Sequence, residues 1–191
     1  MEPLNRLLFI FARIRYFLPR LLIHMDEKLC KDLARWKQVH QLDMSDPEAI
    51  AWLLWKNQEF RNLVIYRNSD RPVRRRLFAL FYPPTKTLFL DTPEIGGGLY
   101  IQHGFATMIA ARSIGQNCWI NQQVTIGYNG SGAPPVIGDD VVIACGAKVL
   151  GTIHVGNHVV IGANAVVIRD VPDNCVVGGV PAKVLKINHV Q

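Results

Sequence analysis

Residues 136–172 read VIGDDVVIACGAKVLGTIHVGNHVVIGANAVVIRDVP, and an aliphatic side chain returns at every sixth position: Ile137, Ile143, Val149, Val155, Ile161 and Val167. An α-helix repeats near 3.6 residues and a strand near 2, so neither accounts for strict sixes over this length. The period points to a parallel β-helix built from six-residue units. Each unit forms one side of a triangular prism, about 18 residues complete a coil, and coils stack at about 4.8 Å. The same beat is read upstream at Ile114, Ile120 and Ile126, and at Phe89, Ile95, Ile101 and Thr107. It slips by one residue between Thr107 and Ile114 and by five between Ile126 and Ile137. The second slip falls on Tyr128 to Pro135, rich in Gly and Pro, which predicts a protruding loop. Roughly four coils are expected. Their aliphatic residues should point inward, with small residues such as Gly115, Gly127, Gly138, Gly156 and Gly162 following them where backbones approach closely.

The chain has 191 residues and a formal net charge of +6. That length holds one elongated domain or one domain with a helical extension, and the charge favours an anionic partner. Cys30, Cys118, Cys145 and Cys175 are scattered with no CxxC pair, which argues against a disulfide framework or structural zinc and fits a reducing, cytoplasmic setting. The apolar run from Leu7 to Ala12 is too short to span a bilayer and precedes no cleavage-site pattern.

Before the repeats the pattern is helical. Leu4, Leu8, Phe11 and Leu18 share a stripe, with Arg6, Arg13 and Arg20 at every seventh position, until Pro19 interrupts. A basic amphipathic helix can lie on a membrane, but docking of its stripe on the same protein or a sister subunit is the favoured expectation. Leu29, Leu33 and Trp36 give a second helical face, Ser45 and Glu48 a capping box that opens a helix through Trp52 and Trp55, and Phe60, Leu63, Val64 and Tyr66 a further helical run. Arg71, Arg74, Arg75 and Arg76 follow without interleaved stacking aromatics, so a solvated or interface face is favoured over nucleic-acid binding. The expected division is a helical domain over 1–86, a β-helix over 87–172 and a tail over 173–191.

Three motifs make the reading specific. The run from Gly96 through Leu99, Tyr100, Ile101, Gln102, His103 and Gly104 to Phe105 resembles the catalytic-histidine segment of serine acetyltransferases and their exopolysaccharide acetyltransferase relatives. Glu59, Phe60, Arg61, Tyr66 and Arg67 look like the helical motif ahead of that segment, and Gly179 to Lys183 reads Gly-Val-Pro-Ala-Lys like the ending of many acetyl-CoA-dependent hexapeptide enzymes. The resemblance covers about residues 58–187. It implies a left-handed β-helix, acetyl-CoA as acyl donor with no metal, and a homotrimer that sometimes pairs into a dimer of trimers.

Acetyl transfer from a thioester to a hydroxyl needs a base, and imidazole titrates in the useful range. His103 is the candidate base and Gln102 the candidate acceptor-binding residue. The resemblance further implies a cofactor groove between neighbouring prisms, with Cys145 and Ala163 lining the pantetheine arm, Ile168 and Arg169 following it outward, and Lys183 and Lys186 meeting the phosphates. The backbone N–H of Gly127 is a candidate oxyanion donor. Two departures bear on the acceptor. Serine acetyltransferases place an aspartate before the histidine and an Arg-His pair in the protruding loop; this chain has Gln102 and, at the loop, Ala133 and Pro134. A sugar hydroxyl is therefore expected at least as readily as serine, with Asp91 or the helical domain as other sources of a carboxylate. Two rival readings stand beside this one. His154 and His158 raise a zinc enzyme like the γ-class carbonic anhydrases, although their spacing fits it poorly, and the prism could be a scaffold without activity. His24, His40 and His189 carry weaker claims.

Overall fold

The computed structural model of the chain describes residues 16–17, 19–130 and 132–187. The helix expected over 4–18 lies, apart from Tyr16 and Phe17, outside the described residues, and so does His189. The chain divides into two compact units, Met1–Thr85 and Lys86–Gln191.

Among the described residues the first unit holds a 3-10 turn over Pro19–Leu22 and four α-helices: α1 (Glu27–Val39), α2 (Asp46–Lys56), α3 (Gln58–Arg67) and α4 (Pro72–Phe81). The Asp26 carboxylate caps α1 by accepting from Leu29 N at 2.7 Å. Ser45 and Glu48 form the reciprocal capping box that opens α2. Leu29, Leu33 and Trp36 on α1 are buried, and Trp36 meets Phe60 of α3 edge-on at 5.2 Å. The motif residues around Phe60 have structural work of their own. The Arg61 guanidinium donates to Leu54 O at 2.6 Å and Trp55 O at 2.9 Å, taking up carbonyls that the end of α2 leaves without helical partners. Arg67 makes a two-pronged pair with Asp32, Nε to Oδ2 at 2.7 Å and Nη2 to Oδ1 at 3.2 Å, with both side chains buried. Asn62 clamps the unit's last residue by bonding both Thr85 N and Thr85 O.

The second unit is a left-handed parallel β-helix of about five coils. Its strands are β1 (Leu88–Leu90), β2 (Glu94–Ile95), β3 (Tyr100–Gln102), β4 (Thr107–Ile109), β5 (Ser113–Ile114), β6 (Trp119–Asn121), β7 (Thr125–Gly127) and β8 (Val136–Ile137). There follow β9 (Val142–Ile143), β10 (Lys148–Leu150), β11 (His154–Val155), β12 (Val160–Ile161), β13 (Val166–Val167), β14 (Cys175–Gly178) and β15 (Lys183–Ile187). The first face of the prism stacks β1, β4, β7, β10 and β13; the second β2, β5, β8 and β11; the third β3, β6, β9, β12 and β14, with β15 returning antiparallel beside β14. The fifth coil exceeds the four expected because Val171 bridges to Val155 and Cys175–Gly178 adds a rung, so the tail begins as β-helix.

Columns of inward side chains fill the prism: Ile95, Ile114, Ile137, Val155 and Val171 on the second face, and Ile101, Ile120, Ile143, Ile161 and Val177 on the third. One expectation fails. Phe89 points outward and is 53% exposed, because β1 pairs with β4 so that Leu90 lies against the inward Ile109 and Phe89 against the exposed Met108. The slip placed after Thr107 is two changes of opposite sign. Ile101 to Ile109 spans eight residues where Ile120 to Ile126 spans six, and Ile109 to Ile114 spans five. The corner that follows β3 is thus two residues longer than the corners stacked beneath it.

At the corner between the second and third faces, side-chain oxygens take up backbone N–H groups of the preceding coil. Asp139 Oδ1 accepts from Gln116 N, Asn157 Oδ1 from Asp139 N, and Asp173 Oδ1 from Asn157 N, at 2.6 to 2.8 Å. The glycines before the three donating residues, Gly115, Gly138 and Gly156, have no room for a side chain. A Cβ at Gly138 would stand 2.6 Å from Asn157 Oδ1 and 2.8 Å from the Gly156 carbonyl. Gly138→Ala is therefore expected to destabilise the β-helix by about 1–3 kcal/mol, as overpacking does. Thermal unfolding of the variant beside the parent measures this, and an unchanged melting temperature would show that the corner relaxes without cost.

Candidate active site

His103 stands in the enlarged corner between the third and first faces. Its side chain is exposed, its φ is 53°, and its carbonyl accepts from Phe105 N at 2.6 Å. Ala106, three residues on, has φ of 51°. Two left-handed non-glycine residues in one short turn are uncommon and cost on the order of 1 kcal/mol each, so the first and second coils, which this corner joins, must hold it in place. The two extra residues push the turn outward and set His103 on its rim.

The register shows what lies under it. Gln102 pairs with Asn121, and Ile101, Ile120, Ile143 and Ile161 stack, so His103, Gln122, Cys145 and Ala163 follow one another down the same corner. At about 4.8 Å per coil, His103 and Ala163 are separated by about 14 Å along the prism. Gln102, Cys145 and Ala163 therefore belong to one edge with the histidine. Ile168 and Arg169 do not: they follow β13 at the opposite edge of the first face, in the corner that also carries Gly127, Asp91 and the loop from Tyr128 to Pro135. The loop leans on the coil below, where Thr152 Oγ1 donates to Ala133 O at 3.1 Å. Beside Gly127 the space a side chain would take is open. Lys183 and Lys186 lie on β15, opposite Gly178 and Val176, at the far end of the third face. All four of these outlying candidates, Ile168, Arg169, Lys183 and Lys186, are exposed.

Three residues at the histidine edge escaped the sequence reading. Gln102 Oε1 accepts from Trp119 Nε1 at 3.3 Å and from Asn121 Nδ2 at 3.1 Å. Tyr100 packs edge-on against Trp119 with ring centroids 4.6 Å apart. With its oxygen engaged by two donors, the Gln102 carboxamide keeps its N–H₂ group as a donor, and among the described residues nothing accepts from it. Gln122, directly below His103, has a buried Oε1 with no hydrogen-bond partner, an acceptor that a donor on a bound molecule would satisfy. The signal was available in the spacing, since Trp119, Asn121 and Gln122 lie 19 residues after Tyr100, Gln102 and His103, one enlarged coil further on. Within the described residues 102–106, 121–123, 144–146 and 162–164, which make up this edge, no carboxylate occurs. An apolar recess of about 390 Å³ opens beside the same corner, lined by Lys86, Thr87, Phe89, Ala106, Thr107 and Met108.

The remaining histidines are elsewhere. His154 and His158 are exposed, with His158 Nδ1 at 3.6 Å from Asp140 Oδ2. Among the described residues no three His, Cys, Asp or Glu side chains are grouped to hold a metal ion. His40 packs between Trp36 and Trp52, and burial lowers its pKa.

Comparison with known proteins bears first on the repeats. Residues 134–169 match the family model described as bacterial transferase hexapeptide, six repeats. Over about half of its length the chain is similar to serine acetyltransferases. It is 43% identical over 102 residues to the serine acetyltransferase of Synechococcus elongatus, covering 51% of this chain and 42% of that protein. It is likewise 43% identical over 102 residues to the serine acetyltransferase of Staphylococcus aureus, covering 51% and 48%. The chain spans about half the length of these relatives, or less. Among solved structures, the serine acetyltransferase of Neisseria gonorrhoeae in complex with serine superposes with a TM-score of 0.61 at 23% identity, over 82% of this chain and 66% of that one. The Brucella abortus enzyme superposes with a TM-score of 0.63 at 21% identity, over 85% and 69%. These likenesses establish the shared fold.

The two kinds of cysteine give a direct check on the corner. Cys118 and Cys175 fill the prism interior in line with Leu99, Val141 and Val159, and burial pushes the Cys118 thiol up to about 12, so on the order of one molecule in 10⁴ is thiolate at pH 8. Cys145 is half-buried and Cys30 exposed. Iodoacetamide on the folded protein should label Cys30 and Cys145 and spare Cys118 and Cys175 until denaturant is added. Peptide mapping that found Cys118 labelled before Cys145 would contradict this packing.

Proposed function

We propose that the chain is an acetyl-CoA-dependent O-acetyltransferase in which His103 is the base and the acceptor is a neutral hydroxyl, that of a sugar or an exopolysaccharide precursor. The observation that carries the reading is the neutral edge around His103: Gln102 with its oxygen tied to Trp119 and Asn121, its N–H₂ free to donate, and no carboxylate in the column. A hydroxyl oxygen can accept from Gln102 while its proton faces the imidazole. As that oxygen attacks the thioester carbonyl, His103 takes the proton; the tetrahedral intermediate collapses, the carbon–sulfur bond breaks, and the imidazolium returns the proton to the leaving sulfur. No covalent enzyme intermediate forms.

The donor reading rests on one of the superposed solved structures being a serine acetyltransferase in complex with CoA and on the edge that descends from His103. The pantetheine arm would run along Cys145 and Ala163. Ile168 and Arg169, on the opposite edge of the first face, would flank the arm from a neighbouring prism of a homotrimer, which is also how the Tyr128–Pro135 loop and the Gly127 amide would reach the reacting carbonyl. Lys183 and Lys186 would meet the phosphates as point charges. The helical unit would be a domain of its own that pairs trimers, and the enzyme would work in the cytoplasm.

A second reading, serine as acceptor, is favoured by the 43% identity to serine acetyltransferases. The neutral edge weighs against it, because an ammonium group brought into a cleft without a carboxylate loses its solvation uncompensated.

A CoA-release assay across L-serine, other amino acids and free or nucleotide-linked sugars separates the readings. His103→Asn tolerates the left-handed backbone and removes the base, so it should fold and lose about 10² to 10⁴ in rate. A rate near that of the parent would remove His103 from the chemistry. Gln102→Asp should improve kcat/KM for serine and reduce it for a sugar, since a carboxylate pairs an ammonium but no longer donates to a hydroxyl. Efficient saturation of the parent by L-serine, with every sugar inert, would overturn the neutral-acceptor reading and leave the acetyltransfer intact.

A further inference from the structure

Helix α4 is a stripe of exposed apolar side chains set in arginine. Val73, Leu77, Leu80 and Phe81 are 69%, 44%, 78% and 41% exposed, and at about 100° per residue they fall within an arc of roughly 100° on one side of the helix. Arg74 and Arg76 flank that arc on either side. Phe78, well off the stripe, is buried, as is Tyr82 at the helix C-cap, so that side of the helix faces its unit and the stripe is left facing out. The adjoining 3-10 turn, which packs against α4, brings Leu21, 68% exposed, and Arg20.

The charge is the second observation. Helix α4 has no acidic residue in its first turn, its N-cap is Arg71 without a side-chain cap, and among the described residues Arg74, Arg75 and Arg76 form no ion pair. Cations near a helix N-terminus oppose its dipole, so the fold gains nothing from these three. Residues 1–15, outside the described ones, add Arg6, Arg13 and Arg15 against the single acid Glu2.

We propose that α4 is a docking face for an anionic lipid surface, with its apolar stripe at the level of the acyl chains and its arginines among the headgroups. The same charge argues against a second copy of the chain as occupant: stripe-to-stripe pairing would bring Arg74 and Arg76 against their own equivalents. Among the described residues no helix is long and apolar enough to cross a membrane, so the contact is interfacial. This placement is independent of the acetyltransfer reading.

Co-sedimentation of the full chain tests it, with vesicles of phosphatidylcholine alone and of phosphatidylcholine mixed with phosphatidylglycerol. Binding is expected to the mixed vesicles, to weaken with added salt, and to fall about tenfold or more in Arg74→Glu/Arg76→Glu and in Leu77→Glu/Leu80→Glu. All four positions are exposed or flank an exposed stripe, so acetyltransfer by both variants should stay at the parent level. Leu80→Trp keeps the stripe apolar and should add a blue-shifted emission on the mixed vesicles. Absence of parent binding, equal binding by the variants, or a Leu80→Trp signal unmoved by lipid would each overturn the proposal. A lower mass for Leu77→Glu/Leu80→Glu than for the parent in sedimentation velocity would assign the stripe to a second copy and overturn it as well.

Discussion

Everything in the second unit depends on coils lying at strand spacing with no side chain between them. A parallel ladder satisfies backbone groups along the faces, but each corner breaks it, and an unpaired N–H there costs about as much as a lost hydrogen bond. Asp139, Asn157 and Asp173 take up those corner N–H groups, while Gly115, Gly138 and Gly156 let the chains approach. With the corners satisfied, the inward columns can stack aliphatic on aliphatic over five coils.

Such regularity makes a departure informative. Two added residues after β3 cannot be absorbed inside the prism, so they bulge outward and carry His103 to the rim with φ of 53°. The departure also moves the chain off the six-residue beat, and the outward-facing pair Phe89 and Met108 lines an apolar recess beside the corner. Local strain at His103 and exposure of its titratable ring thus share one cause, the length of a single corner, and the recess adjoins it.

The first unit is organised differently. Its helices are joined by directed polar contacts within an apolar core: Arg61 on the end of α2, Arg67 on Asp32 between α3 and α1, and Asn62 on Thr85. Glu59, Phe60, Arg61, Tyr66 and Arg67 look in sequence like the helical motif ahead of the histidine segment, and in the fold Phe60, Arg61 and Arg67 hold helices together. The arginines of α4 do the reverse. In sequence they read as a solvated or interface run, and helical spacing turns Arg74 and Arg76 into the flanks of an apolar stripe.

The period of six was legible without coordinates because close-packed coils demand one inward residue per side, and that demand is written in every unit from Ile137 to Val167. The capping box at Ser45 and the three motifs around Arg61, His103 and Pro181 were equally local. Residue order alone could not count the fifth coil, whose second side is a lone bridge at Val171, or tell that Thr107 and Ile109 together face inward, since strand parity in β4 is set by pairing with β1 and β7. Nor could it bring Trp119 and Asn121 to Gln102, or put Cys145 and Ala163 on the histidine's edge and Arg169 on the opposite one. Those relations join residues 17 or more apart in sequence, and only the stacking of one coil on the next decides which side chains share an edge.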